Sequence, residues 1–111
     1  MARKLGEVQV IIHKATDGHV EVVGVNSAAV GVGPTKVEAL RDFVECLTAM
    51  VKASLKHDAT IFFDPSPNDL KAYRKAVAGK GSKDVIGTGV FSITVQTRQP
   101  PLVEAEQLVL A

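Results

Sequence analysis

The feature that most narrows the fold is an apolar stripe between residues 35 and 56. Val37, Leu40, Phe43, Val44, Leu47, Met50, Val51 and Leu55 recur at three- and four-residue spacing, the period of one helical face. Arg41, Asp42, Glu45, Thr48 and Lys52 fall between them on the outward side, with Arg41 and Glu45 one turn apart, where opposite charges pair. Ahead of the stripe stands Thr35-Lys36-Val37-Glu38, the spacing of a capping box. In that box the threonine hydroxyl accepts the glutamate amide and the carboxylate returns to the threonine amide, a cap worth about 1 kcal/mol. A long helix with a single apolar side needs a second layer to bury that side.

The segments on either side supply it. Residues 8–13 and 19–25 alternate apolar and polar positions, the period of a strand, and Asp17-Gly18 between them is a tight-turn pair. Asn26-Ser27 marks another turn, and residues 28–32 a third short strand. Beyond the helix, residues 59–63 (ATIFF) form a short apolar strand. Ser66 is the N-cap of a second helix that opens with Pro67 and Asp69, carries the stripe Leu70, Tyr73 and Val77, and stops at Gly79-Lys80-Gly81. Residues 84–96 form a long strand in which Gly87 and Gly89 signal a bulge or a close backbone approach. Gln99-Pro100-Pro101 breaks it, and residues 102–110 read either as a helix opening on Val-Glu-Ala-Glu or, the favoured reading, as a final strand exposed at the sheet margin or swapped to a neighbour. The order is βββαβαββ, an α+β chain with two helices on a mainly antiparallel sheet.

At 111 residues the chain is a single domain, residues 1–111, large enough for a core. With 5% aromatics and no Trp, that core is built from Val, Leu, Ile and Ala, and base-stacking surfaces of the single-strand-binding kind are disfavoured. One cysteine, Cys46, excludes an internal disulfide. No apolar run approaches the roughly 18 residues that span a bilayer. The first ten residues lack the apolar stretch of a signal peptide. A cytoplasmic location is expected.

Candidate chemistry is sparse. Gly31-Val32-Gly33-Pro34 leads from a strand to a helix N-terminus, where amides attract anions. Its spacing matches neither phosphate-loop motif, and Pro34 removes a donor, so a turn with a good cap is the better reading. Lys71, Arg74, Lys75, Lys80 and Lys83 gather on the second helix and the loop after it, a footprint suited to a nucleic-acid backbone. The plainer reading is a solvated face whose cations suit the helix dipole. Net charge is only +1, so no basic surface covers the whole molecule. His13 and His19 flank the first hairpin without a sequence-adjacent cysteine or acid pair to complete a metal site, and surface histidines are the expectation. His57 reads as a helix-end cap, Cys46 as a core filler, and Asp58 and Asp64 as turn residues bracketing a strand. No catalytic residue, metal or cofactor is expected.

A three-strand meander running into Gly33, Thr35, Glu38, Ala39 and Leu40, with the Asp17-Gly18 hairpin before it, resembles HicB-like antitoxin N-terminal domains over residues 7–63. The resemblance implies a truncated ribonuclease-H-like fold and a non-enzymatic module that masks a partner protein, often as an oligomer. Residues 64–111 do not read as the DNA-binding helix-turn-helix or ribbon-helix-helix that such antitoxins usually carry. Two functions are therefore expected. One is a protein-binding or inhibitory module acting on another protein or on itself as a homo-oligomer. The alternative is nucleic-acid binding through Lys71, Arg74, Lys75, Lys80 and Lys83. No membrane partner is expected.

Overall fold

The computed structural model describes residues 2–57 and 61–110. Along the chain lie β1 (Ala2–Lys14), β2 (Val20–Gly24), β3 (Val30–Gly33), α1 (Lys36–His57), α2 (Pro67–Val77), β4 (Val85–Gln96) and β5 (Leu102–Leu110). The five strands form one antiparallel sheet in the order β3-β2-β1-β4-β5. This is the α+β class read from the sequence, with the elements in the expected order. Between the helices the fourth expected strand is reduced, among the described residues, to a bridge from Phe62 to Ser27 and a bond from the Phe63 amide to the Asn26 carbonyl at 3.0 Å. Ala59 and Thr60 of that segment lie outside the described residues.

Strand alternation sorts the sheet into two faces. Val8, Val10 and Ile12 of β1, Val20 and Val22 of β2, and Phe91, Ile93 and Val95 of β4 are buried together with Ala39, Phe43, Leu47 and Val51 of α1. Phe43 and Phe91 meet at the centre with ring centroids 5.5 Å apart. Burying side chains of this size contributes roughly 1.5–3 kcal/mol each. Val37, placed on the apolar stripe by spacing alone, is instead 65% exposed. The buried row is Ala39, Phe43, Leu47 and Val51, and a residue two positions before Ala39 points about 200° away from it at 3.6 residues per turn. The Arg41–Glu45 pair is likewise not among the ion pairs of the described residues.

The junction between β3 and α1 is where helix and sheet come closest. A Cβ on Gly31 would lie 2.3 Å from the Ala39 carbonyl oxygen and the Phe43 amide nitrogen. Only a hydrogen lets the helix backbone rest on the strand there. The cap expected at Thr35 is present in one arm, with its hydroxyl accepting the Glu38 amide at 3.2 Å. At the other end of the same junction, Asp42 accepts the Val32 amide at 2.9 Å.

Two further details position the rest. Asn26 acts as a strand substitute beside β1, its side chain accepting the Gln9 amide at 3.0 Å and donating to the Glu7 carbonyl at 2.9 Å. The bulge expected near Gly87 occurs in the pairing of β4 with β1, where the register shifts between Ile12 and His13. α2 packs against β4 and β1 on the face opposite α1, beside Ile11 and His13. No residue of α2 is buried. Val77, expected on its apolar stripe, is 57% exposed, in keeping with the slight contact α2 makes with β4 and β1.

Candidate functional site

The cationic residues of α2 are brought together by the way that helix begins and ends. Ser66 accepts the Asp69 amide at 3.1 Å, with Pro67 as the first helical residue, which starts the helix where capping chemistry demands. At the other end the Gly79 amide bonds the Ala76 carbonyl at 3.1 Å and the Lys80 amide bonds the Lys75 carbonyl at 2.8 Å. These two bonds define a Schellman turn. Gly79 has φ +74°, which glycine adopts without strain. The turn folds the chain back, so that Lys80 returns beside Lys75.

Lys71, Lys75 and Lys80 consequently line two grooves. One, of about 440 Å³, runs between α2 and the sheet, with Ile11, His13, Ser82 and Val85 among its lining. The other, of about 370 Å³, lies along α2 and includes Leu70 and Arg74. Lys71, Arg74, Lys75, Lys80 and Lys83 are all exposed, and none takes part in an ion pair among the described residues. The structure thus gathers four of the five expected cations. Lys83 lines neither groove.

His13 and Ser82 belong to the site and were not grouped with it by sequence. His13 Nδ1 lies 3.1 Å from Asp84, whose other oxygen accepts the Ser82 hydroxyl at 2.5 Å. The Ser82 bond, a backbone bond and His13 together hold the Asp84 carboxyl below its ordinary range. The carboxylate stands between serine and histidine, so the arrangement orders two donors around an acid and does not place a base on the hydroxyl. A separation of 71 residues hides this contact from any local motif.

His19 lies on the hairpin turn between two acids, bonding Asp17 through Nδ1 and Glu21 through Nε2, the latter at 3.0 Å. Hydrogen bonding to Glu21 is the main cause that raises its pKa above the ordinary 6.5; desolvation opposes it, and the bond and charge of Asp17 add to the rise. His13 is paired in register with Glu21, not with His19, and no group of three or more His, Cys, Asp or Glu suited to a metal occurs among the described residues. Cys46 donates to the Met50 sulfur at 3.9 Å while packing on the core. Asp64 is exposed, and Asp58, its expected companion, lies outside the described residues.

The two sheet margins differ. β3 is covered by α1, and its Val32 amide is occupied by Asp42. β5, nine residues long, pairs with β4 on one side and, among the described residues, has no strand beyond it. Glu104 and Glu106 lie exposed on it, and Leu108 is 47% exposed at a register shift in the pairing with β4. No helix of the described residues is long and apolar enough to cross a membrane. No protein-family model, curated protein or solved structure matches this chain.

Proposed function

We propose that the chain is a non-enzymatic protein-binding module, of the inhibitory, antitoxin-like kind, that takes a strand of another chain onto β5 and self-associates through the same strand. The observation that carries this reading is the contrast between the margins. The β3 edge is closed by α1 and Asp42, whereas β5 offers nine residues with no strand beyond them among the described residues. An edge of that length presents unpaired backbone donors and acceptors, and strand addition is the usual way such an edge binds. Light scattering and amide exchange test the reading together. The mass is expected to rise above 11.8 kDa with concentration, with slowed exchange confined to β5. A strict monomer at high micromolar concentration, with no protein bound to it in a pull-down, would overturn the proposal.

A second reading, nucleic-acid binding by α2 and its following loop, is supported by the exposed and unpaired state of Lys71, Arg74, Lys75, Lys80 and Lys83 among the described residues. Each lysine that meets a phosphate releases about one counterion from duplex DNA, so affinity falls steeply with salt. Replacing the five with Gln should weaken duplex binding and flatten its salt dependence. Absence of any wild-type complex at low salt would remove this reading.

A further inference from the structure

We propose that the groove between α2 and β1 is a binding site for the phosphate group of a nucleotide, either free or within a nucleic-acid strand. The inference shares its lysines with the nucleic-acid reading and deepens it by assigning one defined pocket.

Lys71 and Lys75 stand one helical turn apart on the same side of α2, and the Schellman turn adds Lys80 beside them. Like charges at that spacing repel. The helix dipole compensates only the last turn, which holds Arg74 and Lys75. Lys71 lies outside it, one turn earlier. Nor does packing account for the cluster, because α2 buries no residue. An anion in the groove relieves the repulsion.

The acids around the pocket are already engaged. Asp84 is held by Ser82 and His13, and Glu21, opposite His13 on β2, is bonded by His19. Asp84 makes no ion pair with the three lysines among the described residues and instead holds the Ser82 hydroxyl and the His13 ring, both in the groove lining. A phosphate presents several acceptor oxygens and up to two negative charges, which matches clustered ammonium donors. A groove of about 440 Å³ is larger than phosphate alone and falls within the range of small-molecule sites. Ile11 and Val85 in its lining suit the base or sugar face of a nucleotide.

The test is a titration of the ¹⁵N-labelled protein with adenosine 5′-monophosphate, adenosine and a short DNA duplex, followed by NMR at low salt. The monophosphate should shift the amides of Ile11, His13, Lys71, Lys75, Lys80 and Ser82 saturably, and adenosine should not. Lys71→Gln with Lys75→Gln and Lys80→Gln should weaken monophosphate binding about tenfold or more, the scale of losing charge-assisted hydrogen bonds. Lys83→Gln should leave it within about twofold, since Lys83 lies outside the groove. Unchanged amide shifts of the sheet residues will show that the variants remain folded. If neither monophosphate nor duplex shifts the groove amides, or if Lys83→Gln matters as much as the groove lysines, the pocket is overturned. Duplex binding without monophosphate binding also overturns it and leaves the broader nucleic-acid reading standing. Monophosphate binding without duplex binding supports the pocket and removes the polymer.

Discussion

Gly31 shows how a single hydrogen sets the distance between layers. Its absent Cβ would sit 2.3 Å from backbone atoms of both Ala39 and Phe43, and backbone cannot swing aside as a side chain can. Gly31→Ala should therefore destabilise the protein by about 1–3 kcal/mol or more, the range for overpacking a tight contact, seen as a lower midpoint in urea. The neighbouring residues were legible as a strand stop and helix cap, because caps depend on local spacing. The close contact was not, because it depends on which strand the helix crosses. His19 carries a second prediction. Its pKa is raised in the fold by Glu21 and Asp17, so its protonated form favours the folded state. That stabilisation is fully present below the ordinary value of 6.5 and is lost as pH rises through the higher folded value. An NMR titration should place the His19 ring above 6.5, and His19→Gln should flatten the decline of stability across that interval.

Among the elements, β5 best separates what local pattern reveals from what it conceals. Residues 102–110 suit a helix start as well as a strand after the Pro100-Pro101 break, with strand the favoured reading, and β5 forms there. Its position at the margin depends on the pairing of β1 with β4, which joins residues about 80 positions apart and leaves no local signature. The two exposed glutamates bear directly on self-association. If two copies of β5 pair antiparallel to extend the sheet, a two-fold axis centred on Glu104, Ala105 or Glu106 sets carboxylates directly opposite one another. Like charges at opposed positions cost roughly 0.2–1 kcal/mol per pair. Glu104→Gln with Glu106→Gln should therefore tighten dimerisation several-fold in sedimentation equilibrium. If the variant dimerises no better than the parent, β5 self-pairing in these registers is wrong. The limits of α2 were legible from Ser66, Pro67 and Gly79. The gathering of His13, Ser82 and Asp84 beside it was not, since it arises only when β1 and β4 lie side by side.

Taken whole, the molecule has one well-buried layer contact and one slight one. α1 and the sheet share the buried cluster around Phe43, Leu47 and Phe91, while α2 rests on the opposite face with no buried residue. Stability follows burial, so the two helices should open with different free energies. The core can be weakened at Leu47, which is fully buried in α1. Leu47→Ala should cost about 2–5 kcal/mol of global stability. α2 can be weakened alone at Gly79, where a Cβ meets no neighbour but φ +74° strains any other residue. Gly79→Ala should cost roughly 1–2 kcal/mol, and because the strain is confined to the turn after α2, the loss should appear there first. Hydrogen exchange distinguishes the two cases. Gly79→Ala is expected to speed exchange of the hydrogen-bonded α2 amides by about tenfold, at 1.4 kcal/mol per decade, and to leave β1 and α1 almost unchanged. Leu47→Ala should instead speed β1 and α1, with little effect on α2. Equal acceleration of all elements by Gly79→Ala would mean that α2 and the core unfold as one unit, and that the groove lysines are held as firmly as the sheet itself.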